Sequence, residues 1–205
     1  MKKHARIKFR PSSLDTTKSI TKELFESFSE PEDAIANLIR FIYKKGPSLP
    51  YSEYDEVAEN IWIHKSAQLS SNVKIDAPAI ICANAKICHG AHIKASVIGS
   101  FASIGDNSQV IGSIIFDRAH LNYSNIVCSS IIGYGAKLSA GVSVCEEKQS
   151  IMPDSQKRSS VICDFAAIGA NSVVAPGIII DEYSTVPPLC IVSQDVKAFS
   201  VYKRK

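Results

Sequence analysis

From Ile63 onward the chain carries one aliphatic residue about every sixth position. The ladder runs Ile63, Leu69, Ile75, Ile81, Ile87, Ile93, Ile98, Ile104, Val110, Ile115, Leu121, Val127, Ile132, Leu138 and Val144, and resumes at Ile162, Ile168, Val174, Ile180, Val186 and Val192. The step is six, shortened to five after Ile93, Val110 and Val127. Four residues after each aliphatic stands a small or β-branched residue, such as Ala67, Val73, Ala85, Ala102, Ser108 or Ala166, and only Asn125 in that series is polar and larger. A six-residue unit with two inward positions is too short for a helix pair or a propeller blade and fits a short strand followed by a corner. Three units make a triangular coil, and twenty-one make about seven coils. At ~4.8 Å per rung the stack is roughly 34 Å tall. The prediction is an all-β parallel β-helix over 63–196; a sandwich would alternate with period two. Val97, Ile114 and Ile131 put a second bulky residue beside the following aliphatic in the shortened coils.

Residues 1–62 lack the period. Ser29-Glu-Pro-Glu32 reads as a capping box, Ile35, Leu38, Ile39 and Ile42 line one helical face, and Gly46 ends it, so one amphipathic helix over about 31–45 is expected to pack against the first coils and cover an edge. The polar stretch 146–160 predicts an extruded loop, and 197–205 a basic tail.

At 205 residues the chain has room for one domain with a small appendage. Its composition, 45% hydrophobic and 21% charged, with apolar runs of only a few residues, argues against a membrane span and against disorder. The net charge of +3 gathers at the two ends and makes no broad basic stripe, so no nucleic-acid partner is expected. The start has charge but no apolar signal region, which predicts a cytoplasmic location. Cys82, Cys88, Cys128, Cys145, Cys163 and Cys190 form no C-x-x-C pair and are expected as free thiols in small slots. His64 and His92 stand beside inward aliphatics and are expected to be exposed; without a His-x4-His pair no metal site is predicted.

Ile104-Gly-Asp-Asn-Ser and Ile168-Gly-Ala-Asn-Ser-Val-Val-Ala-Pro-Gly resemble the hexapeptide-repeat acyltransferases, left-handed parallel β-helices that usually form homotrimers. Within that group the chain is most similar to the acetyltransferase half of the bifunctional N-acetylglucosamine-1-phosphate uridyltransferase/glucosamine-1-phosphate acetyltransferase and its short stand-alone relatives. Glu23-Leu-Phe-Glu26 and Asn60-Ile-Trp-Ile-His-Lys-Ser-Ala67 extend the likeness to roughly residues 20–200. The resemblance implies acetyl transfer from acetyl-CoA to an amino sugar phosphate or related nucleotide, with a histidine as general base on the amine. Uridylyl transfer is not expected, since the chain has no glycine-rich phosphate loop.

Two alignments of the base compete. By motif, His120-Leu-Asn-Tyr123 makes His120 the base; by register, the base position falls on Tyr123. A base must lie within ~2.6–3.2 Å of its proton. His120 precedes an inward leucine and points outward from the flat of a strand, whereas Tyr123 stands at a corner, so register favours Tyr123. The same corner column reads Ser71, His89, Asp106, Tyr123, Ala140, Ala170 and Pro188, which suggests a His89–Asp106–Tyr123 stack as substitute base or anchor. In that register coenzyme A would face Ala140, Ala170 and Pro188. Lys94, Asn125 and Lys137 are the candidates for substrate binding. The family's substrate lysine falls on Ile111, and its asparagine-tyrosine pair at the loop on Glu146 and Glu147, so the acceptor pocket is altered. An inactive scaffold or a nucleotide-sugar-binding protein stands as the alternative.

Overall fold

The computed structural model describes residues 13–17, 19–28, 30–144 and 159–203. Three short helices, α1 (Lys22–Ser27), α2 (Pro31–Ala36) and α3 (Leu38–Lys45), precede an antiparallel hairpin, β1 (Tyr54–Ala58) on β2 (Ile61–His64). From β2 onward the strands pair in parallel with those one coil below and above, the end strands on one side only, giving a β-solenoid of seven coils. The first face stacks from Ile61–Ile63 to Ile179–Ile180, the second from Gln68–Leu69 to Thr185–Val186, and the third from Lys74–Asp76 to Ile191–Val192. Two longer strands, Lys74–Ile81 and His92–Ile98, bend through the corner between the third and first faces and join those faces into one sheet.

The aliphatic ladder is the core. From Ile81 to Val192 each of its members is buried in a single cluster, with the small residues Ala85, Ala102, Ala119, Ala136 and Ala166 between them. The shortened coils solve their tighter corner with serine. Ser96, Ser113 and Ser130 are fully buried; each hydroxyl donates to the carbonyl two residues earlier (Lys94, Ile111, Cys128), at 2.7–2.9 Å. The Ser96 and Ser113 hydroxyls each also accept the backbone N–H of the serine one coil above, at 3.1 Å. The hydroxyl therefore replaces a ladder bond that the missing residue would have supplied, and no buried polar atom is left unpaired there.

The helix packs on early coils as expected, α3 contacting Lys74–Ile81 and His92–Ile98, but it does not cover the open edge. Leu69 is 41% exposed and Ile75 only half-buried, so the first coil is left open. Instead, Leu14, Leu24, Ala34, Leu38, Phe41, Ile42 and Leu49 lie along the flank of the first face, on the outward Ile80, Val97, Ile114, Ile131, Val161 and Ile179. The doubled aliphatics are thus buried on both sides of the sheet, each outward isoleucine contributing roughly 1.5–3 kcal/mol that solvent exposure would forfeit. Beyond coil five the cover is held by Asp164, whose carboxylate accepts the Asp15 N–H at 2.6 Å and the Tyr134 N–H at 2.7 Å.

Other expectations change in detail. The helix is broken at Asn37 into α2 and α3, and its buried face is Ala34, Leu38, Phe41 and Ile42, with Ile39 turned to solvent. The N-cap is Glu30, with no side-chain cap bond and Pro31 as first helical residue; Ser29 is outside the described residues. Gly46 stays in a right-handed conformation and leads into a 3-10 turn; its role is clearance, because a β-carbon there would run into the Trp62 ring. Residues 197–203 are no tail: Val201 bridges Thr185, and the Tyr202 hydroxyl donates to the Ile191 carbonyl at 2.9 Å. The loop at 146–160 falls almost wholly on 145–158, outside the described residues.

At one corner of the prism a column of residues adopts positive φ: Asn84, Phe101, Arg118, Gly135, Phe165, Tyr183 and Phe199. Stacking offsets the strain. Phe165 lies on Tyr183 at 4.9 Å and Tyr183 on Phe199 at 5.1 Å, while Arg118 covers the Phe101 ring at 5.1 Å.

Two outcomes follow from this packing. Gly46→Ala, read by urea unfolding, is expected to cost about 1–3 kcal/mol, the usual range for overpacking. Burial pushes the Asp164 carboxyl up to about 6, against 3.8 ordinarily, so between those values the folded chain holds a proton that the unfolded chain lacks. The cost of burying its charge is therefore present above pH 6 and fades as pH falls toward 4. The stability of the wild type relative to Asp164→Asn is expected to rise by about 1–3 kcal/mol between pH 7 and pH 4; an unchanged difference would refute it.

Candidate functional site

The edge between the second and third faces is built by repetition. Each corner residue is followed by one with positive φ: Gly90, Asn107, Ser124, Gly141, Asn171 and Leu189 follow His89, Asp106, Tyr123, Ala140, Ala170 and Pro188. The backbone N–H of the following residue donates to the corner carbonyl one coil below, as Asn107 does to His89, Ser124 to Asp106, Gly141 to Tyr123, Asn171 to Ala140 and Leu189 to Ala170, at 2.8–3.1 Å. Those bonds set His89, Asp106, Tyr123, Ala140, Ala170 and Pro188 in one column, a rung apart. Tyr123 is 56% exposed at its middle. Above it the column is low: Ala140 and Ala170 have single-carbon side chains, and Gly169 sits so close to the Pro187–Pro188 backbone that a β-carbon would collide with it.

The proposed stack forms only in part. The His89 ring bonds downward, Nδ1 lying 3.0 Å from the Ser71 hydroxyl. Among the described residues no hydrogen bond joins His89 to Asp106 or Asp106 to Tyr123; at the corner the side chains fan into solvent, and Ser71 offers His89 a nearer partner.

His120 stands outward from the second face, exposed, as its place before Leu121 requires. Its register neighbours are Ser103 below and Lys137 above, and Lys86 follows Ser103. The fold thus lines up Lys86, His120 and Lys137 on one face, three residues that sequence separation conceals. Lys94 is exposed on the third face, in register with Asp76 and Ile111, and does not join that row.

Asn125, a candidate for substrate binding, is turned into the core. Its side chain is fully buried; Nδ2 donates to the Asn122 carbonyl at 2.6 Å, and Oδ1 accepts the Val142 N–H at 2.8 Å. It occupies the inward small-residue column and does there what Ser108 and Ser172 do for Asn125 and Cys190, accepting the N–H of the next coil. Polarity in a column of small residues signals this repair.

His64 and His92 are half-buried and partnered rather than free. His64 bonds Ser66, and His92 Nε2 lies 2.8 Å from Asp76 Oδ2, which also meets Lys74 at 3.2 Å. His92, and then Lys74, hold the Asp76 carboxyl below the usual range. Asp76 escaped notice in the sequence; its signal is that it lies two residues after Lys74, which pairs in register with His92. The cysteines among the described residues are free, and burial raises the Cys82 thiol to about 12, which makes it packing rather than a nucleophile at neutral pH.

No protein-family model and no curated protein matches the chain. Solved structures similar to it include the acetyltransferase domain of PglB from Neisseria gonorrhoeae in complex with acetyl coenzyme A, 14% identical over 66% of this chain and 56% of that one, with a TM-score of 0.33. An N-acyltransferase from Bacillus cereus, AntD, in complex with dTDP and coenzyme A, is 15% identical over 68% of this chain and 76% of its own, with a TM-score of 0.48. GDP-perosamine N-acetyltransferase from Caulobacter crescentus, in complex with coenzyme A and GDP-perosamine, is 16% identical over 68% and 50%, with a TM-score of 0.35. The chain spans about half the length of the first and third of these. At such identities the likeness goes no further than the coiled architecture. Among the described residues no helix is long and apolar enough to cross a membrane.

Asn125→Leu, which orphans the Val142 N–H, is expected to lower the unfolding free energy by about 1–3 kcal/mol. Loss of ligand binding with stability intact would instead make Asn125 a ligand-contacting residue.

Proposed function

We propose that the chain is a coenzyme A-dependent acyltransferase, with acetyl-CoA as donor and an amino sugar phosphate or related nucleotide as acceptor. It would work as a cytoplasmic homotrimer with sites between neighbouring prisms. The observation that carries the reading is the edge column, in which the exposed Tyr123 is followed without a break by Ala140, Ala170 and Pro188. A low strip of this kind suits a pantetheine chain lying along the backbone, its thioester brought to the polar end. The repeat motifs supply the family resemblance and the named neighbours the donor class. Lys86 and Lys137, in one row with His120 between them on the adjoining face, suit the phosphates of the acceptor.

In the transfer, the acceptor amine attacks the thioester carbonyl, a base takes the amine proton, and the sulfur leaves with the electron pair of the broken C–S bond. Tyr123 and His120 are the two candidates at that step, Tyr123 by position on the edge and His120 by chemistry. Asp106 and His89 lie below Tyr123 and would anchor the acceptor. Lys94, on the third face, would meet acceptor phosphate only across a subunit cleft.

One observation favours a second reading, that of a nucleotide-sugar-binding scaffold: no imidazole occupies the edge at the coil of Tyr123, and Asp106 makes no hydrogen bond to it among the described residues. Calorimetric titration with acetyl-CoA separates the two. Saturable binding is expected, followed by turnover of glucosamine-1-phosphate that falls at least tenfold in Tyr123→Phe and stays near wild type in His120→Ala. Loss in His120→Ala alone would move the base to the second face, and absence of acetyl-CoA binding would sink the acyltransferase reading.

A further inference from the structure

Away from the edge column, α1, α3 and the turn after α3 enclose a cavity of about 380 Å³. Its floor is apolar, made by the buried Leu24 and Phe41 with Phe28 beside them. Its rim is cationic: Arg40, Lys44 and Lys45. Lys45 Nζ lies 2.7 Å from Glu23 Oε1, and this bond, with the charge of Lys44 behind it, holds the Glu23 carboxyl below its usual range. One cation is thereby neutralised. Arg40 and Lys44 have no carboxylate partner among the described residues, so the rim keeps a surplus of two positive charges. The lysines of the last turn offset the negative end of the α3 dipole, but Arg40, a turn earlier, is not needed for that. The polar side chains around the opening are already satisfied: Ser27 donates to the Glu23 carbonyl, Asn37 to that of Asp33 and Ser48 to that of Lys45. What the cavity leaves unmet is therefore positive charge above an apolar floor. Its volume falls within the ~300–1,000 Å³ typical of small-molecule sites.

We propose that this cavity binds a small organic anion, a phosphate ester or carboxylate carried on an apolar ring or short chain. The anion takes the Arg40 and Lys44 side of the rim, Arg40 offering its two-pronged donor set, and the apolar body lies on Leu24, Phe28 and Phe41. The site is on the far side of the first-face cover from the edge column and does not depend on acyl transfer.

Calorimetric titration of the full chain with phenyl phosphate, inorganic phosphate and phenol tests it. One saturable site per chain is expected for phenyl phosphate, with inorganic phosphate and phenol at least tenfold weaker, since each lacks one half of the match. The double variant Arg40→Glu/Lys44→Glu is expected to lose phenyl phosphate at least tenfold, and Lys197→Glu, an exposed lysine near the C-terminal end of the solenoid, to keep it. Both rim side chains are exposed, and an unchanged melting temperature verifies that the double variant is folded. The proposal is overturned by absence of saturable phenyl phosphate binding, by inorganic phosphate binding as tightly, or by a folded double variant that binds like wild type.

Discussion

The described coils of the solenoid are set by one constraint: parallel strands must pair a whole coil apart while the aliphatic of each rung stays inside. A coil of three short strands offers little freedom. If one residue is removed, the N–H and C=O it carried must be replaced or the ladder breaks. The buried Ser96 and Ser113 show how that is met, a side-chain oxygen standing in for a backbone one at 3.1 Å. Because the interior is filled and paired, each outward side chain is held at a fixed place on a face or an edge, and chemistry can be assembled from residues seventeen or eighteen apart.

That constraint explains why the solenoid could be read from the sequence. One inward aliphatic per rung is a one-dimensional signal, and the positions from Ile81 to Val192 are buried as the period requires. The cover on the first face was only half legible. Doublets such as Ile114-Ile115 and Ile131-Ile132 announce a strand buried on both sides, but the apolar residues between Leu14 and Leu49 have no matching period to say what lies against them. The open first coil, with Leu69 exposed, shows that those residues favour a long flank over a short end.

The candidate residues were legible in position on the fold and less so in partnership. The period placed Tyr123 on an edge and His120 on a flat face, and both are there. It could not tell that His89 would turn toward Ser71, because two polar neighbours a rung apart compete on side-chain length and angle. The period put Asn125 in the inward column but did not tell that both ends of its amide are occupied, since polarity alone does not separate a ligand from a repair. Asp76 was missed because its partner His92 lies diagonally from it on the neighbouring strand, out of register by two residues.

Stacked repeats that touch only their nearest neighbours come apart piecemeal, each coil peeling with its own free energy. The strap that runs from Leu14 to Leu49 contacts outward residues from Ile80 to Ile179 and is tied near the top at Asp164. It acts as a splint across otherwise separable rungs: loosening a rung beneath it must also disturb a shared covering, a coupling that favours melting as one cooperative unit over unravelling coil by coil.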